Sequence, residues 1–169
     1  DFTGQRLSPL TQITPANASQ LAPQWTFQTA VLANQFEATP VVLDGVLYYT
    51  GPSNNAWAID ARTGKQIWKY TRSLPAGLKV CCGPVNRGFA VYGDRDAHLV
   101  AFEMKTGKVI WDVELADFKL GYASTPAPLV VKGKLIVGIA GGEYANRGFL
   151  DAIDPADGHR IWRFWTVPA

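Results

Sequence analysis

The sequence predicts an all-β chain of about three four-stranded propeller blades, and three observations carry that prediction. A segment recurs in the order strand, tight turn, strand ending in tryptophan: Ala58-Ile59-Asp60-Ala61-Arg62-Thr63-Gly64-Lys65-Gln66-Ile67-Trp68, then Ala101 to Trp111, then Ala152 to Trp162. With Trp25, the tryptophans lie 43, 43 and 51 residues apart. Such a period in a β pattern belongs to propeller blades. The front half of the unit also repeats, as the strand-turn-strand runs Ala38 to Tyr49 and Pro126 to Val137.

Taken in order, residues 1–35 form an N-terminal segment with a closing outer strand around Trp25, preceded by one possible helical turn between Pro15 and Leu21. Residues 36–70 form blade one, with Gly45 and Gly64 where hairpins need a positive φ. Residues 71–113 form blade two, which is short. From turn glycine to acidic residue there are 15 residues in blade one (Gly45 to Asp60) and 10 in blade two (Gly93 to Glu103). About one strand is missing near Arg95 and Asp96, either by true deletion or because the sequence omits residues. The second is preferred, because removing the second strand of a blade orphans its ladder. Residues 114–169 form blade three. Three blades cannot close a ring, so the chain is expected to be part of something larger or to be completed by a partner.

Composition excludes several classes. Apolar residues make up 47% and charged residues 18%, a globular balance rather than a disordered one. The net charge of +2 comes from dispersed residues without a basic block, giving nucleic acid or an anionic membrane no footprint. No apolar run reaches the roughly 18 residues of a membrane span. Asp1-Phe2-Thr3-Gly4 lacks the regions of a signal peptide, so a cytosolic or mature exported product is expected.

The two cysteines are adjacent, in Cys81-Cys82-Gly83-Pro84-Val85-Asn86-Arg87-Gly88. Neighbouring Cα atoms lie about 3.8 Å apart, whereas a disulfide prefers roughly 4.4 to 6.8 Å. Two readings stand on residues alone: a strained ring kept for function, or two reduced thiols packed as small hydrophobes. An oxidised pair points to an oxidising compartment. His98 and His159 lie at repeat positions and are assigned to no chemistry. No phosphate-cradling loop, serine elbow or zinc spacing occurs in the chain.

The tryptophan motif, the vicinal cysteines and their order resemble the pyrroloquinoline quinone (PQQ)-dependent alcohol dehydrogenases, whose eight-bladed propeller repeats Ala-x-Asp-x-x-Thr-Gly-Lys-x-x-Trp. Residues 58–68 fit every fixed position, the second copy departs at Glu103, and the third at Asp157 and His159. The resemblance runs through essentially the whole chain but covers about the N-terminal third of such an enzyme. It implies an incomplete quinoprotein propeller in which a Cys81–Cys82 disulfide stacks against PQQ, Arg87 pairs with a PQQ carboxylate, Glu37 hydrogen-bonds the cofactor and Thr125 contacts a carboxylate. It further implies that Gly141 and Gly142 let the backbone approach PQQ and that Glu143 ligates Ca²⁺ or a lanthanide. The resemblance departs at Ala140, where many members carry serine.

The implied function is the N-terminal part of a periplasmic enzyme that oxidises primary alcohols to aldehydes and passes electrons to a c-type cytochrome or a quinone. The catalytic aspartate, the metal-binding asparagine and the tryptophan floor belong to later blades, so the chain alone is not expected to be active. The rival reading is a non-catalytic scaffold or partner-binding propeller, which has no reason to hold Cys81, Cys82, Arg87 and Glu143 together.

Overall fold

The computed structural model describes residues 8–31, 36–74, 76, 78, 85–88, 92–93 and 97–168. They form three antiparallel sheets, in agreement with the expected incomplete propeller. Blade one holds β1 (Val41–Leu43), β2 (Val46–Gly51), β3 (Asn55–Asp60) and β4 (Gln66–Thr71) in sequential order. Blade two holds β5 (Tyr92–Gly93), β6 (His98–Phe102) and β7 (Val109–Glu114), and blade three holds β8 (Leu129–Val131), β9 (Lys134–Gly138), β10 (Phe149–Ile153) and β11 (Arg160–Trp165). Each tryptophan motif spans the last two strands of its sheet, so Trp68, Trp111 and Trp162 lie on outermost strands. The expected turn near Pro15 to Leu21 is a single 3-10 turn at Ala18–Gln20.

Local chemistry explains the fixed positions of the motif. Gly64, Gly107 and Gly158 adopt φ of +71°, +70° and +79°, a left-handed conformation that glycine takes without steric cost. Each donates its N–H to the carbonyl four residues back, on Asp60, Glu103 and Asp154, at 2.8–2.9 Å. The Asp60 carboxylate accepts from Thr63 N at 2.7 Å, Thr63 Oγ1 at 2.9 Å and Arg62 N at 3.0 Å. The Thr63 bonds lead in holding this exposed carboxyl below its usual range. A register shift falls at the same place in every copy, after Ala58, Ala101 and Ala152. Each hairpin therefore carries the same bulge.

The same glycines seat the tryptophans that precede them. Gly107 and Gly158 take those of the preceding blade, and Gly64 takes Trp25 of the N-terminal segment. The expected closing strand around Trp25 is irregular backbone instead. Trp25 Nε1 donates to Ala61 O at 3.0 Å, Trp68 Nε1 to Met104 O at 2.8 Å and Trp111 Nε1 to Pro155 O at 3.0 Å. A Cβ on Gly64, Gly107 or Gly158 would lie 2.6–2.8 Å from the docked indole. Apolar clusters fill the space between blades. Tyr48, Ala56, Ala58 and Trp68 pack with Val100, and Leu99, Trp111 and Leu115 pack with Leu135, Val137 and Ile153. On the far side of blade three, Trp162 is 42% and Phe164 61% exposed.

In blade two, β5 pairs antiparallel with β6, Tyr92 opposite Val100 and Gly93 opposite Leu99. These are the positions that Tyr49 and Thr50 take against Trp57 and Ala56, so β5 fills the second-strand place. The reason is strand direction. Skipping the second strand would bring the first and third together in parallel, and a parallel pair needs a crossover of about a dozen residues or more. Four residues separate β5 from β6, enough for a hairpin only. The innermost position is kept at Gly88, which forms a parallel bridge to Thr39 of blade one. Arg95 and Asp96 lie outside the described residues.

Candidate functional site

The inner ends of the blades lie side by side. Gly88 bridges Thr39 of blade one, and a Cβ on Gly88 would sit 2.7 Å from the Ala127 Cβ of blade three. Glu37, Arg87 and Thr125 precede these three residues by one or two positions. They therefore emerge at one level from three different blades, and their side chains meet. Arg87 Nε donates to Glu37 Oε2 at 3.0 Å and an Arg87 terminal nitrogen donates to Thr125 Oγ1 at 3.2 Å. Thr125 is 7% exposed, whereas the Arg87 and Glu37 side chains are each 42% exposed. The guanidinium uses two of its five N–H donors in these bonds, leaving others for an incoming anion. A pair this accessible contributes about 0–1 kcal/mol to stability.

A second group adjoins the first through the backbone. Ala123, two residues before Thr125, pairs with Ala140 by Ala140 N to Ala123 O at 2.7 Å and the reverse bond at 3.1 Å. Gly141 follows directly, at φ +124°, and opens a single 3-10 turn Gly142–Tyr144 that carries Glu143 at its centre. Side chains are excluded at Gly141, where a Cβ would meet Gly121 O at 2.5 Å, whereas a Cβ on Gly142 would have nothing within 4 Å. Glu143 is exposed. Cys81 and Cys82 lie outside the described residues.

The sequence reading missed the residues that hold these groups. Asn86 is 4% exposed and its Oδ1 accepts from Gly88 N at 3.2 Å, fixing the backbone beside Arg87. Asn146 donates to Leu120 O at 2.8 Å and ties the Glu143 loop to its neighbour. Asn146 follows the pair Gly141-Gly142 and Asn86 the single Gly83, the sole signal that either offers. His98 and His159 lie away from both groups, on Asp112 and Asp157 at 2.7 Å.

Residues 1–96 match the PQQ family described as the glucose/ethanol/alcohol dehydrogenase β-propeller domain. The quinoprotein alcohol dehydrogenase PedH of Pseudomonas putida KT2440 is 42% identical over 171 residues, spanning 97% of this chain and 29% of that protein. Among solved structures, the quinohemoprotein alcohol dehydrogenase ADHIIG of Pseudomonas putida HK5 superposes with a TM-score of 0.86 at 41% identity, across 98% of this chain and 25% of that one. A europium-containing methanol dehydrogenase also gives 0.86, at 32% identity, across 94% of this chain and 29% of its own. The chain thus spans under a third of the length of these relatives. With a family match over residues 1–96 of 169, it belongs to the PQQ-dependent glucose, ethanol and alcohol dehydrogenase β-propeller family.

Proposed function

We propose that this chain is part of a PQQ- and metal-dependent dehydrogenase that oxidises primary alcohols to aldehydes, and that it supplies one portion of the cofactor site. The observation that carries the proposal is the meeting of Glu37, Arg87 and Thr125 from three blades at the inner end of the sheets. The donor set suits a flat tricarboxylate. Arg87 presents a planar, permanently charged fork matched to a carboxylate, Thr125 adds a hydroxyl, and the open space above Gly142 admits a ring system close to the backbone. When bound, PQQ supplies a two-electron acceptor whose carbonyl the metal ion polarises.

The chain's residues have separable roles in this reading. Arg87 neutralises and orients a cofactor carboxylate, Glu37 fixes the guanidinium and hydrogen-bonds the cofactor, and Thr125 sets the depth of seating. Glu143 offers a hard carboxylate oxygen, the donor type that Ca²⁺ and lanthanides take. Cys81 and Cys82 form the stacking platform as a vicinal disulfide. The catalytic base and the remaining ligands come from the rest of the propeller, and electrons leave to a c-type cytochrome or a quinone. A vicinal disulfide persists in an oxidising compartment, so this reading goes with a periplasmic protein.

The test is reconstitution of the full-length parent protein with PQQ and Ca²⁺ or a lanthanide. The expected outcome is dye-linked oxidation of primary alcohols, lost in Glu143→Ala, with no free thiol under non-reducing conditions. Two titratable thiols in the folded protein overturn the platform assignment. Failure to bind PQQ leaves the scaffold reading in its place.

A further inference from the structure

We propose that Asn146, acting with Gly121, is a positioning residue that aims the Glu143 carboxylate at the metal ion. This inference rests on the reading of Glu143 as a metal ligand. It goes beyond that reading by assigning the orientation of the ligand to residues on a neighbouring loop.

A glutamate on an exposed single turn has three rotatable side-chain bonds and a backbone held by few hydrogen bonds. The Gly142–Tyr144 turn has two of its own, Tyr144 N to Gly141 O at 3.0 Å and Ala145 N to Gly142 O at 3.1 Å. A turn this short does not hold a ligand in place by itself. What surrounds it does. On the N-terminal shoulder, the paired bonds between Ala123 and Ala140 fix the entry. On the C-terminal shoulder, Asn146 Nδ2 donates to Leu120 O at 2.8 Å. Between the two, the Tyr144 ring lies over Gly121, where a Cβ would come within 2.8 Å of the ring. The Gly121 carbonyl and Asn146 Nδ2 in turn close on Gly141, at 2.5 and 2.9 Å from the place its Cβ would take.

The partner loop is itself built to stand still. The Asp117 carboxylate accepts from Lys119 N at 2.9 Å, and Gly121 N donates to Phe118 O at 2.8 Å. Gly121 then turns left-handed, with φ of +90°. Ala145, at φ +62°, closes the Glu143 turn in a conformation that disfavours alanine. Such a strained residue persists where its surroundings over-determine the backbone, and here Asn146 follows it directly. Residues that orient a ligand without touching the metal commonly alter metal affinity by about 10–100-fold when changed. Asn146 is placed to be one of them.

The experiment is a Eu³⁺ titration of the full-length, PQQ-loaded parent protein, following luminescence intensity and lifetime. Asn146→Ala should weaken Eu³⁺ binding by about tenfold or more. It should also shorten the lifetime, because a loosened carboxylate admits water, while the melting temperature of the metal-free protein stays within about 2 °C of the parent's. Gly121→Ala should act in the same direction. Unchanged affinity in Asn146→Ala overturns the proposal, as does a loss of affinity matched by a fall in melting temperature of about 5 °C or more. Glu143→Ala separates the two levels. If it leaves Eu³⁺ binding intact, the ligand reading fails; if it abolishes binding while Asn146→Ala does not disturb it, only the positioning role fails.

Discussion

The rim of this propeller and its axis are built on opposite rules. At the rim, one contact is made three times with the same atoms: an indole N–H on a carbonyl and an indole face on a left-handed glycine. At the axis, each blade contributes something different at the same level, a carboxylate from blade one, a guanidinium from blade two and a hydroxyl from blade three. Repetition locks neighbours together where every interface must be alike. Divergence is confined to the ends where the lock is not needed, so a site can be assembled there without weakening the fold.

That division predicts a ranking of effects. Trp68→Ala should be the most damaging, about 3–5 kcal/mol, since it empties a buried site and leaves the Met104 carbonyl with only the longer bond from the Tyr48 hydroxyl at 3.4 Å. Thermal denaturation of the parent protein measures it, and a cost similar to that of an axis substitution breaks the division. Gly107→Ala follows at about 2–3 kcal/mol, because it forces a left-handed alanine whose methyl lies 2.6 Å from the Trp68 ring. Arg87→Ala should cost stability at most about 1 kcal/mol, its ion pair being exposed. It should nevertheless weaken PQQ binding about tenfold or more by loss of a charge-assisted bond, read by cofactor titration.

The smallest effect concerns pH. Asp112 on β7 accepts from Arg72, the residue after β4, and from His98 at 2.7 Å. Partial burial pushes its carboxyl up, but the bonds from Arg72 and His98 together outweigh this and hold it below the usual range. Its folded-state value lies below its unfolded one, so the stabilisation is complete above about pH 4 and is lost as acid protonates it. Melting temperature against pH should therefore fall less steeply below about pH 4 in Asp112→Asn than in the parent. Equal slopes would remove this contact from the account of how the end of β4 adheres to β7.

The rim was legible from sequence because each motif position answers a local demand: Gly64 its positive φ, Asp60 the N–H groups of the turn, Trp68 the glycine of the next blade. The axis was not legible in the same way. Arg87 reads as a surface arginine and Thr125 as a strand-entry threonine until the blades bring them together, and the family resemblance alone pointed to them. Residue counting points to a deficit near Arg95 and Asp96, which lie outside the described residues, and a count carries no information about chain direction. Asn146 escaped notice because its partner, the Leu120 carbonyl, is backbone, which no side-chain pattern can announce.

The tryptophans that organise the rim also give the molecule an optical readout. Trp57, Trp68 and Trp111 are buried, whereas Trp162 and Trp165, both on β11, are 42% and 40% exposed. Emission from this chain should thus have a shielded component and one open to aqueous quenchers such as iodide. Any body that settles on the face of blade three that carries Trp162 and Phe164 shifts the Trp162 part of the second component to shorter wavelength and protects it. Trp165, packed on Phe149 and Arg163 on the opposite face, keeps its exposure. Assembly at the Trp162 face is therefore visible without a label.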